Sequence, residues 1–92
     1  MDLTGKVVLI TGAKRIGAYV ASELAMRGAD VVVGYWESCD EAMATADAVR
    51  GHGRRGLALQ ADLSRPDACR RLVDESAQAM GGLDVLVALA SR

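Results

Sequence analysis

The stretch from Lys6 to Gly17, KVVLITGAKRIG, leaves few options for how a chain can fold. Val7 to Ile10 form a continuous aliphatic run with no polar alternation, the pattern of a strand covered on both faces in a parallel sheet. A parallel strand needs a long crossover to its neighbour, and a helix is the usual one. Gly12 lets the backbone turn without a side chain, and Gly17 removes a side chain where the new helix packs close to its strand or to a ligand. The first N–H groups of such a helix have no intrahelical partner and carry the positive end of its dipole, so the turn can receive an anion such as a pyrophosphate. Lys14 and Arg15 add two cations at that mouth. A strand–glycine–helix turn also serves as a plain structural connection, and what favours an anion here is the repetition of the unit downstream.

The first strand runs from Lys6 to Thr11, and the following helix places Ile16, Val20 and Leu24 at four-residue spacing, widened by Ala21 and Ala25. Gly28 ends it, and a second strand spans Val31 to Tyr35. Ser38 with Glu41 three residues on is a capping-box pattern for a second helix, whose inner side carries Ala42, Ala46 and Val49. A glycine- and arginine-rich loop containing His52 leads to a third strand from Leu57 to Gln60. Ser64 as cap and Pro66 in the first turn start a third helix, with Cys69, Leu72, Val73, Ser76 and Met80 along its inner stripe. Gly81 and Gly82 stop it, and Leu83 to Ala90 give a fourth strand.

The order βαβαβαβ predicts an α/β, Rossmann-type three-layer fold. Right-handed crossovers give a parallel sheet of order 3-2-1-4, with a crevice at the carboxyl ends where the order reverses. With 92 residues the chain holds one domain at most, residues 1–92, read as part of a dinucleotide-binding Rossmann domain. Its apolar residues are mostly Ala, Val and Leu, with one Trp, two Tyr and no Phe, which suits close helix-on-sheet packing. A net charge of −1 supplies no field to draw in nucleic acid. Cys39 and Cys69 lack zinc or redox spacing and read as reduced packing cysteines. The longest apolar run is too short to span a bilayer, and the first strand starts too early for a signal peptide, so the expected location is the cytoplasm with no membrane partner.

Four landmarks together carry a resemblance: LTGKVVLITG from Leu3 to Gly12 with its turn to Gly17, the Gly34-Tyr35 strand end, QADLS from Gln60 to Ser64, and GLDVLV from Gly82 to Val87 leading to Ala90. Over nearly its whole length the chain resembles the N-terminal part of the short-chain dehydrogenase/reductase family. Within it the chain is most similar to 3-oxoacyl-carrier-protein reductase and pteridine-reductase-like members. That resemblance implies hydride transfer between a nicotinamide cofactor and a carbonyl or alcohol in the full-length parent. It also implies that Gly12, Lys14, Arg15, Ile16 and Gly17 hold the cofactor phosphates, that Asp62 accepts from the adenine amino group beside Leu63, and that Ala90 lies near the nicotinamide-side ribose. NAD-preferring relatives carry an Asp where Tyr35 stands, so with Lys14 and Arg15 free to meet a 2′-phosphate the expected cofactor is NADP(H) rather than NAD(H). Trp36 and Glu37 argue the other way, since relatives often place a base there and a carboxylate repels a phosphate.

The chain departs from the family in three places. Its glycine turn is one residue shorter than TGxxxGxG, Ala88-Leu89-Ala90-Ser91 replaces the Asn-Asn-Ala-Gly stretch, and the sequence reaches Arg92 without the family's catalytic Ser or Tyr-x-x-x-Lys pair. Tyr19 is followed four residues on by Glu23 and Tyr35 by Cys39, so neither supplies that pair. Two readings stand, the cofactor-binding part of a reductase and a catalytically inactive nucleotide-binding or interaction module, beside a third, a different Rossmann protein such as a sugar-nucleotide epimerase relative. In each case the fourth strand would be an uncharged sheet edge, open to self-association or to a complementing chain.

Overall fold

The computed structural model describes residues 1–12 and 14–89. Four strands and three helices alternate as β1 (Val7–Thr11), α1 (Arg15–Met26), β2 (Asp30–Tyr35), α2 (Cys39–Gly51), β3 (Gly56–Gln60), α3 (Pro66–Met80) and β4 (Val85–Ala88). The sheet is wholly parallel with order β3-β2-β1-β4, as the Rossmann-type reading requires. Thr11 pairs with both Gly34 and Ala88, so the ends of the three strands lie level at one rim.

Strand alternation divides the core into two layers. Val8, Ile10, Val31 and Val33 face α1 and α2 and pack with Ala21, Ala25, Ala42 and Val49. Val7, Leu9 and Val32 face the other way and meet Leu72 and Met80 of α3 with Ala61. Alanine predominates on the inner faces of α1 and α2, so these helices pack close to the valine-rich strands. On the α3 side cover is thinner, and β4 shows its apolar side chains to solvent, Leu86 being 55% exposed.

Several local expectations are corrected. Ile16 is exposed rather than on the sheet-facing side of α1, where Gly17, Ala21 and Ala25 are buried. Val73 lies on the sheet side of α3, lining a groove with Leu9, Leu72 and Leu86, but remains exposed there because that groove is open. Ser38 stands at the N-cap of α2 but makes no side-chain cap bond. Ser64 is displaced from the α3 cap by Arg65, because its hydroxyl donates to Asp62 Oδ1 at 2.7 Å instead. The fourth strand is shorter than Leu83 to Ala90, since Asp84 turns its side chain to accept from the Val7 N–H at 2.8 Å. Gly28 bears out its role after α1: its φ is +102°, and a β-carbon there would meet Thr4 at 2.7 Å.

At the rim opposite the glycine turn, Asp30 ties three elements together. Its carboxylate, 7% exposed, accepts from the Arg55 backbone N–H at 2.8 Å and from Arg55 Nε and Nη2 at 3.0 and 2.9 Å. The same Arg55 Nη2 donates to Met80 O at 3.0 Å, fastening the end of α3. Arg54 Nε is buried without a hydrogen-bond partner and lies 3.6 Å from Asp30 Oδ1, so that charge is what offsets it. Burial pushes the Asp30 carboxyl upward, but the Arg55 N–H and guanidinium and the charge of Arg54 outweigh it and hold the carboxyl below its usual range.

A depressed carboxylate contributes stability that is present above its unfolded-state pKa and lost as pH falls through the folded one. Asp30→Asn should therefore lose about 1 to 3 kcal/mol at neutral pH. The lower end is expected because Arg55 is 57% exposed and screened by solvent. The gap between parent and variant in urea unfolding should close below about pH 4. A gap that persists unchanged at low pH would show that the loss is not electrostatic.

Candidate functional site

The glycine turn and α1 build one side of a cleft at the carboxyl ends of the strands. Lys14 caps α1 with extended backbone and no side-chain bond, and the first turn contains no acidic residue. The helix ladder opens with the Ala18 N–H bonding Lys14 O at 2.9 Å. The N–H groups of Arg15, Ile16 and Gly17 lie at the helix start with the dipole's positive end, and the N-cap side chain does not bond them. A β-carbon on Gly17 would lie 1.8 Å from Gly12 O, so only glycine fits where the shortened turn presses on the helix. Gly12 has φ +105°, and its N–H bonds Gly34 O at 3.2 Å, continuing the β1–β2 pairing into the turn.

The opposite wall comes from the connections after β2 and β3. Tyr35 ends β2 on the face shared with α1 and α2, and its Oη lies 3.5 Å from Cys39 Sγ. The contact with the Cys39 thiol, followed by loss of solvent, raises the phenol above its ordinary pKa, which leaves Tyr35 a neutral hydroxyl. After β3, Asp62 Oδ1 accepts from the Ser64 N–H at 3.0 Å and from the Ser64 hydroxyl at 2.7 Å, a tight turn ahead of α3. Part of the carboxylate is thereby occupied within its own loop.

The cleft encloses about 910 Å³. Gly12, Lys14, Arg15, Ile16, Gly17, Tyr35, Asp62 and Leu63, distant in sequence, all line it. Ala90, the remaining expected site residue, lies outside the described residues. Gly34, Ser38, Ser64 and Leu89, not expected as cofactor-site residues, also line the cleft, and Trp36 and Glu37 stand in its wall. Position alone could have found them, because each adjoins a strand's carboxyl end. Their residue types carry no distinct signal.

A parallel 3-2-1-4 sheet with a cleft at its reversal point defines a Rossmann-type α/β protein. Residues 6–92 match the family model described as short chain dehydrogenase, and the chain belongs to that family. It is 46% identical over 86 residues to elsinochrome reductase 1 of Elsinoe fawcettii, covering 92% of this chain and 32% of that protein. It is 42% identical over 85 residues to a versicolorin reductase of Emericella nidulans, again covering 32% of the relative. The crystal structure of a short chain dehydrogenase from Burkholderia cenocepacia in complex with NADP superposes with a TM-score of 0.89 at 45% identity, over 94% of this chain and 36% of that one. The chain thus spans about a third of the length of the relatives it matches. No helix among the described residues is long and apolar enough to cross a membrane.

Gly17→Ala tests the close approach. The added methyl group would collide with a backbone oxygen rather than a yielding side chain, so a loss of about 1 to 3 kcal/mol is expected in chemical unfolding. An unchanged midpoint would show that the turn and helix separate easily.

Proposed function

We propose that residues 1–92 form the NADP(H)-binding part of a short-chain reductase, the dinucleotide half of a catalytic domain whose substrate pocket and proton donor lie elsewhere. One observation carries this: eight residues expected to hold the cofactor line a single cleft over an uncapped helix start. The volume suits a ligand of dinucleotide size. The exclusion of any side chain at Gly17 fits the close approach of a phosphate to backbone. In this arrangement Gly12 and the α1 amides take the pyrophosphate, and Asp62 and Leu63 take the adenine. A bound nicotinamide supplies hydride for carbonyl reduction. The reductase names of the relatives and the NADP of the Burkholderia neighbour support that chemistry. Two free cysteines among the described residues accord with the cytoplasm as its location.

The preference for NADP(H) rests on charge. Lys14 and Arg15 stand in the cleft as cations, and Tyr35 offers a ribose diol no carboxylate. Changing Lys14 and Arg15 to Ala together should weaken NADPH binding by about ten-fold while leaving NADH nearly unchanged, as measured by calorimetry. A double variant that still discriminates would place the 2′-phosphate elsewhere in the cleft.

We also infer that β4 is covered by a second copy or a complementing segment. It pairs with β1 alone among the described strands, and its exposed side chains are apolar and uncharged. At low micromolar concentration the chain should sediment above its 9.6 kDa monomer mass, and Leu86→Lys should reduce the association. A monodisperse parent monomer with a cooperative melt would overturn this.

A further inference from the structure

We propose that Gln60 is a positioning residue for the cleft, fastening the β2–α2 connection through a hydrogen bond to a main-chain carbonyl. This rests on the cofactor reading above. The connection, residues 36–38, forms the wall opposite the glycine turn and contributes Trp36, Glu37 and Ser38 to the cleft. It is short of internal support, because Ser38 makes no side-chain cap bond to α2. Gln60 Nε2 donates to Trp36 O at 3.1 Å, and among the described residues it is the side-chain donor that reaches this segment.

Gln60 is well placed to act as a fixed post. It is the last residue of β3, in register with Tyr35, and the next residue's N–H, that of Ala61, bonds Tyr35 O at 2.8 Å. Its own carbonyl accepts from Arg71 Nη2 at 3.2 Å, which ties it to α3. The side chain therefore bridges from a position held by the sheet and by α3 to a connection held only at its two ends. Without the amide donor, residues 36–38 sample more conformations, and a ligand must order them on binding. One exposed neutral hydrogen bond corresponds to roughly a two- to ten-fold effect.

Gln60→Met keeps the length of the side chain and removes the donor without adding charge. Trp36, the single tryptophan and half exposed in the cleft wall, reports on the connection directly. The expected results for Gln60→Met are a roughly two- to ten-fold weaker affinity for NADPH, a larger acrylamide quenching constant for Trp36 in the free chain, and an unchanged melting temperature. Gln60→Ala should behave alike. Parent-like affinity in both variants, with the parent binding NADPH normally, overturns the positioning role alone. So does weakened affinity that comes with a lowered melting temperature and unaltered quenching, which marks a merely structural residue. A parent that binds neither NADPH nor NADH overturns the cofactor reading and with it the binding role of this bond. Trp36 quenching that does not differ between parent and Gln60→Met overturns the fastening itself.

Discussion

The whole chain depends on the double burial of β1. Its five residues, Val7 to Thr11, are all buried, and it is hydrogen-bonded to β2 on one side and β4 on the other. Val8 and Ile10 enter one core layer while Val7 and Leu9 enter the other, so this single strand joins the two layers. Burying such side chains stabilises by roughly 1.5 to 3 kcal/mol each. The glycine turn that follows inherits this rigidity. Gly12 cannot move far when Thr11 is paired on both sides, and so the start of α1 is held against a fixed point.

The two rims of the sheet are used differently. At one rim, Asp30, Arg54 and Arg55 form a charge cluster that joins β2, the loop before β3 and the end of α3. Its polar groups are mostly spent on one another, as buried ions require. At the other rim, Lys14 and Arg15 are exposed at the start of α1, and the backbone amides of that helix have no side-chain cap. Polar capacity satisfied at the first rim and left at the second separates what holds the fold from what can hold a ligand.

The fold was legible in the sequence because burial on both faces erases polar alternation, and erased alternation over Val7–Ile10 and Val31–Val33 has few explanations. The site was legible through topology: once the strand order is known, Gly12, Tyr35 and Asp62 must come to one rim. Helix starts were less so. Ser38 and Ser64 both resemble caps, yet neither hydroxyl caps its helix, because side-chain oxygens choose among nearby donors and acceptors that sequence spacing cannot rank. Ile16 was misplaced for a related reason. Four-residue spacing assigns it to the stripe of Val20 and Leu24, but at the first turn of α1 it borders the open cleft and is exposed there.

The thin cover of the α3 face and the open cleft bear on the same quantity, the stability of the native chain. Leu86 and Val85 remain exposed on β4, and a groove of about 180 Å³ lies between this strand and α3, lined by Leu9, Leu72 and Leu86. The apolar surface left bare there is stabilisation forgone. A dinucleotide bound as proposed would touch three successive strand–helix connections, those after β1, β2 and β3, none of which contacts the others through regular pairing. Because such a ligand binds the folded chain and not the unfolded one, its free energy adds to folding by mass action, about 2.7 kcal/mol at a hundred-fold excess over Kd. That is a sizeable share of the roughly 5 to 15 kcal/mol that holds an ordinary domain folded. In a short chain with one bare edge, occupancy of the cleft and integrity of the sheet are therefore coupled.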